Sequence, residues 1–191
     1  MERAYITDKT FEKEDASDQM LPIADYENCI FNNCDFANAD FSDIHFSGCT
    51  FTDCNISMVK MIETALGDVV FKNCKMTGIH FEQCNKFMTS LSFDNCHLNL
   101  CSFYKLKLKR TLFKNSVLHE VDFTEADISE SVFDNCDLAK AVFENTNLEK
   151  ADLRTSFNYS IDPDINRIKK ATFSVSGIAG LLHKYDIIID Q

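Results

Sequence analysis

Nine cysteines and a surplus of carboxylates are the residues of this chain best equipped for chemistry, and their spacing decides which chemistry is open to them. Cys29 and Cys34 stand five apart, as do Cys49 and Cys54, and Cys96 and Cys101. Zinc sites favour cysteine pairs two to four apart, with a second pair or histidines to close a tetrahedron. A five-residue interval with every histidine out of phase fits such a site poorly. Cys34, Cys54 and Cys74 would stack at a strand spacing of about 4.8 Å, within reach of a disulfide. An odd number of cysteines and no apolar leader in "MERAYITDKTFEKED" instead lead to the expectation of reduced thiols in the cytoplasm. Catalysis finds no support either. His45, His80 and His97 each precede an apolar position and His119 follows one, so all take surface phases. No Ser/His/Asp grouping, glycine-rich phosphate loop or H-E-x-x-H motif occurs, so neither an enzyme nor a cofactor is expected.

The cysteine interval is the local view of a longer rule. A five-residue word, small–polar–Phe/Leu–polar–polar, begins at Ala24 and is legible to Leu153. Its large apolar centres fall every fifth residue from 26 to 81 and again from 88 to 153, which implies a two-residue insertion near Glu82–Phe87. A period of five suits neither an α-helix, at 3.6, nor a plain strand, at 2. It suits a short extended segment and a turn, repeated, and internal repeats decide the fold. If four such sides close one coil, residues twenty apart stack. One side then reads Phe31, Phe51, Phe71, Phe93, Phe113, Phe133, and the side opposite reads Phe41, Met61, Phe81, Phe103, Phe123, Phe143. Between them run Phe36, Ile56, Met76, Leu98, Leu118, Leu138 and Tyr26, Phe46, Leu66, Met88, Leu108, Ile128, Leu148. All nine cysteines sit two before a centre, or on that phase, and are expected to fill the interior as small hydrophobes.

The words "CDFAN", "ADFSD", "VDFTE", "ADISE", "CDLAK" and "ADLRT" closely resemble the A(D/N)LXX consensus of the pentapeptide-repeat family. "FNYSIDPDINRI" followed by "SGIAGLLHKYDIII" is similar to the C-terminus of that family's microcin immunity members, and the quinolone-resistance (Qnr) proteins are more distant relatives. The resemblance implies an all-β fold, a right-handed quadrilateral β-helix. It also implies binding to DNA gyrase and topoisomerase IV, often through a dimeric rod that mimics DNA. The longer projecting loops of Gram-negative Qnr proteins have no counterpart here beyond the small insertion, which weakens loop-dependent drug protection.

Three regions are expected: an N-terminal cap over 1–23, the coil over 24–155, and a C-terminal cap and dimerisation segment over 156–191. The repeat predicts 26 words, about six and a half coils and a rod about 31 Å long, with capped ends. Pro163 is expected to stop the ladder, and a short helix is expected over 176–184 with Ser176 as its N-cap. Leu181, Leu182, Ile187, Ile188 and Ile189 either seal the last coil or join two copies into a homodimer.

Net charge is −11, which does not favour direct nucleic-acid binding, and no apolar run could span a membrane. Residues 1–58 carry −9, 59–118 carry +5 and 119–158 carry −7. The basic middle offers Lys105, Lys107, Lys109 and Arg110, all on outward phases, as a patch for an acidic partner. The acidic segment offers Glu120, Asp122, Glu125, Asp127, Glu130, Asp134 and Asp137 to a cationic DNA-binding saddle. Either group also reads as plain solvated surface. Two functions follow: a protein that protects a type II topoisomerase from a toxin or drug, or an interaction scaffold with no topoisomerase partner.

Overall fold

The computed structural model describes residues 3–15, 21–85 and 89–189. Twelve short strands stack in parallel: β1 (Ala4–Thr7), β2 (Thr10–Glu12), β3 (Ala24–Glu27), β4 (Ile30–Asn32), β5 (His45–Ser47), β6 (Thr50–Thr52), β7 (Ala65–Lys72), β8 (Thr89–Asp94), β9 (Leu112–Lys114), β10 (Val132–Asp134), β11 (Asp152–Leu153) and β12 (Thr172–Phe173). Register places residue i over i+20, as in Phe31 on Phe51 and Phe113 on Phe133. The chain therefore climbs as a right-handed, four-walled coil, with backbone hydrogen bonds joining successive turns. Among the described residues no helix is long and apolar enough to cross a membrane.

Two local rules bend the chain every five residues. Each centre points inward, and in nearly every word the residue two further on takes a left-handed backbone, as at Asn33 (φ 53°), Asn73 (φ 53°) and Asn115 (φ 49°). Asparagine tolerates that region better than most residues, and here it also bonds along the rod. Asn73 donates to Asp53 at 3.0 Å, Asn95 to Asn73 at 2.9 Å and Asn135 to Asn115 at 3.0 Å.

Inside, the phenylalanines stack face to face along two opposite walls and meet edge to face across the core. Phe113 lies 5.1 Å from Phe93 and 4.7 Å from Phe133 along its own wall, and 6.1 Å and 6.0 Å from Phe103 and Phe123 across it. All nine cysteines are free and buried. Most of them do more than fill space, because their thiols donate to the carbonyl of a centre in the preceding turn. Cys49 reaches the Tyr26 carbonyl at 3.4 Å and Cys54 that of Phe31 at 3.3 Å. Thr64, Ser131, Thr146 and Ser156 make the same bond with hydroxyls.

The insertion lies where the period breaks. Asn85 still bonds to Thr64 in the normal offset, whereas Leu91 pairs with Val69 two residues late. Met88 lies outside the described residues. The coil itself runs further than the words do, to about eight turns and roughly 38 Å. At the start, β1 and β2 add most of a turn, with Phe11 stacked 4.7 Å from Phe31. At the far end Pro163 interrupts one wall only. The other three continue through the pairs Asp137–Phe157, Asn147–Arg167 and Asp152–Thr172. Pro163 supplies no amide donor, and Asn166 substitutes for the lost ladder. Its amide donates to the Phe143 carbonyl at 2.8 Å, and its carbonyl accepts from Thr146 at 2.8 Å.

The predicted C-terminal helix is instead two 3-10 turns, Ile178–Leu181 and His183–Tyr185. The hydroxyl that receives the first free amide, that of Gly177, belongs to Ser174 and not Ser176. Crowding explains the tight winding: Gly177 and Gly180 pack so closely on Tyr159 that a side chain at either would collide with its ring.

Candidate partner-binding surface

Three residues of each word face outward: those flanking the centre and the left-handed corner residue. Taking each wall with the corner that follows it, wall 1 carries the Tyr26 column, wall 2 Phe31, wall 3 Phe36 and wall 4 Phe41. The sequence-predicted acids do not share a wall. Asp127 and Glu130 lie on wall 1, Asp134 on wall 2, Glu120 and Asp137 on wall 3, and Asp122 and Glu125 on wall 4.

Most of them are also neutralised. The basic stretch sits one turn below the acidic one, so the two groups pair with each other. Lys105 meets Glu125 at 3.4 Å, Lys109 meets Asp127 at 3.3 Å and Arg110 meets Glu130 at 3.0 Å. Lys140 meets Glu120 at 3.8 Å, and His119 meets Asp137 at 2.7 Å. Lys107 alone of the four predicted cations is exposed with no ion pair among the described residues. These contacts leave a mark on titration. Arg110, with Lys150 behind it, holds Glu130 below the usual carboxylate range. Burial opposes ionisation of Asp127, but Ser129 and Lys109 outweigh it and hold that carboxyl low too.

Counting by wall instead of by stretch reveals where charge collects. Wall 4 carries Asp40, Asp43, Glu63, Glu82, Asp122, Glu125 and Glu144 against only Lys60 and Lys105. Wall 2 alternates, with Lys72, Asp94, Lys114, Asp134 and Arg154 in successive turns. Sequence reasoning placed Asp122 and Glu125 among candidates but missed the other five acids of wall 4. The signal was present in the twenty-residue phase and was lost by summing over consecutive residues.

Histidines lie outside the core, and three sit beside carboxylates: His45 by Asp25 at 3.0 Å, His80 by Glu82 at 2.8 Å, and His119 as above. Among the described residues no cluster of three His, Cys, Asp or Glu could hold a metal. At the C-terminal end Leu181 packs against the core and Leu182 is half-buried. Ile187, Ile188 and Ile189 are exposed, form no strand, and Ile188 is 99% accessible.

No curated protein matches the chain in sequence. Among solved structures, a trypsin-treated variant of QnrB1 aligns over 100% of both chains with a TM-score of 0.63 at 16% identity. Full-length QnrB1, described as a plasmid-mediated fluoroquinolone resistance protein, aligns over 96% of this chain and 100% of its own, at 0.54 and 17%. HetL, a pentapeptide repeat protein involved in heterocyst differentiation regulation in the cyanobacterium Nostoc, covers 87% of this chain and 84% of its own at 0.40 and 15%. The likenesses to QnrB1 concern the fold. The family model of the pentapeptide repeat region matches residues 24–87 and 86–157, most of the chain, and the chain belongs to the pentapeptide-repeat family.

Proposed function

We propose that this chain is a non-enzymatic binding protein that presents wall 4 to the cationic DNA-binding surface of a type II topoisomerase, DNA gyrase or topoisomerase IV, and thereby protects it from a toxin or drug. The observation that carries this reading is the gathering of seven carboxylates on one wall of the rod, with two cations among them. DNA presents about one charge per 1.7 Å counted over both strands, and wall 4 is sparser, so binding is expected to be moderate. The likeness in fold to QnrB1 supports the reading. A homodimer joined through Ile187, Ile188 and Ile189 belongs to the same proposal, because three exposed β-branched side chains at a rod end are unfavourable in water. A light-scattering mass of one chain would remove the dimer from it.

The test is a supercoiling assay with purified gyrase and topoisomerase IV, with and without a poison. Rescue is expected at micromolar protein, weakening as salt rises. Asp122→Asn with Glu125→Gln is expected to weaken binding, and Lys114→Gln on wall 2 to leave it unchanged. No binding and no rescue would leave the scaffold reading in its place.

A further inference from the structure

The left-handed corner position holds asparagine, aspartate, glycine or a charged residue in nearly every word. Two corners are apolar, Met58 (φ 57°) and Leu100 (φ 61°). Each carries two costs at once: a backbone conformation that bulky L-residues disfavour, and an apolar side chain that is 56% exposed at Met58 and 57% at Leu100. They share one corner, between walls 3 and 4, two turns apart. Gly78 lies between them at φ 72°, and a side chain there would collide with the Met58 sulfur, so the thioether lies along the corner over the glycine.

Across wall 4, in the same turns as these two corners, stand Ile62, 51% exposed, and Tyr104. The middle of the acidic wall therefore mixes apolar side chains with charge: the paired His80 and Glu82 stand in the turn between Ile62 and Tyr104, and Lys60, Glu63 and Lys105 lie beside them. Asp40 and Asp43 bound it on one side and Asp122 and Glu125 on the other. Exposed methionine and aromatic side chains are enriched where proteins meet, and a few such side chains carry most of the binding. We propose that Met58, Ile62, Leu100 and Tyr104 are the anchor by which wall 4 holds its partner, a protein surface with an apolar cleft bordered by lysines and arginines. Charge commits the site to that occupant, since nucleic acid or an anionic lipid surface would be repelled by the flanking carboxylates. The inference rests on wall 4 being the binding wall and not on the partner being a topoisomerase.

The test uses the full chain and the double variant Met58→Asn, Leu100→Asn. Asparagine suits the left-handed corner, so the variant is expected to melt at a higher temperature than the wild type while losing the anchor. Two probes are titrated: purified DNA gyrase, and a synthetic amphipathic peptide of leucine and lysine. Every probe that binds the wild type is expected to bind the double variant at least tenfold more weakly, with an unchanged salt dependence. If gyrase fails to bind the wild type but the peptide binds and shows that loss, the topoisomerase reading fails and the anchor stands. Wild-type affinity in the double variant, or failure of both probes to bind the wild type, overturns the anchor.

Discussion

Phe113 shows what a single residue does in this fold. Its ring is fully buried, stacked on Phe93 and Phe133 and edge-on to Phe103 and Phe123, so it belongs to two walls at once. Deleting it removes a large apolar side chain and leaves a cavity that neighbours fixed by the ladder cannot close. Phe113→Ala is expected to cost about 3–5 kcal/mol, read as a lowered urea midpoint. An unchanged midpoint would contradict the stacking described above. The cysteines make the complementary point about small residues. Each thiol is enclosed and several donate to a carbonyl, so at neutral pH they are expected to resist thiol-modifying reagents in the native protein and react only on unfolding. Fast labelling of Cys49 or Cys101 in the folded chain would speak against their enclosure.

At the scale of the element, the unit is a turn held by a left-handed corner. Asn115 fills such a corner and links Asn135 above to Asp94 below, at 3.0 Å and 3.4 Å. Asn115→Ala loses both side-chain bonds and leaves an alanine where φ is positive, so it is expected to cost about 1–2 kcal/mol. Asn115→Gly relieves the backbone and is expected to lie between alanine and the wild type. Thermal midpoints of the three proteins check the order. Such corners were legible in the sequence only as polar positions, because the period fixes which residues point inward and says nothing of φ. The same limit explains the two ends. The spacing from Tyr26 to Leu153 identified the walls, but β1 lies before the first complete word, and Asn166 keeps the coil going past Pro163 by a side-chain contact that no periodicity encodes. The predicted helix became 3-10 turns because Tyr159, far away in the sequence, leaves no room around Gly177 and Gly180. The acidic wall was legible in principle, since Asp122 and Glu144 share a face with Asp43 only when residues are counted in twenties.

For the whole molecule, a coil of thiols and carboxylates makes stability depend on pH from both sides. Burial pushes Cys34 and Cys49 up to about 11, and Cys101 and Cys136 up to about 12. Unfolded thiols ionise near 8.5. Below that value both states hold the proton and stability does not vary. Above it the unfolded chain releases protons that the folded chain keeps, so stability falls until the folded values are reached. Each thiol contributes a slope of about 1.4 kcal/mol per pH unit. Cys74 is raised as well, whereas Cys96, held low by its bond from Cys74, works in the opposite direction. The rod is therefore expected to lose stability as pH rises above about 8.5, monitored by circular dichroism. The acid limb has the opposite sign. Asp127 and Asp137, each kept low by hydrogen bonds that outweigh burial, and Asp152, kept low first by Arg154, stabilise the fold above about pH 4 and lose that contribution as they are protonated. Replacing Cys49 by alanine keeps a small apolar filler but removes one titrating thiol, which should shift the alkaline midpoint upward relative to the neutral one. An alkaline transition that ignores the loss of thiols would mean that the tyrosines, and not this interior column, set the upper limit.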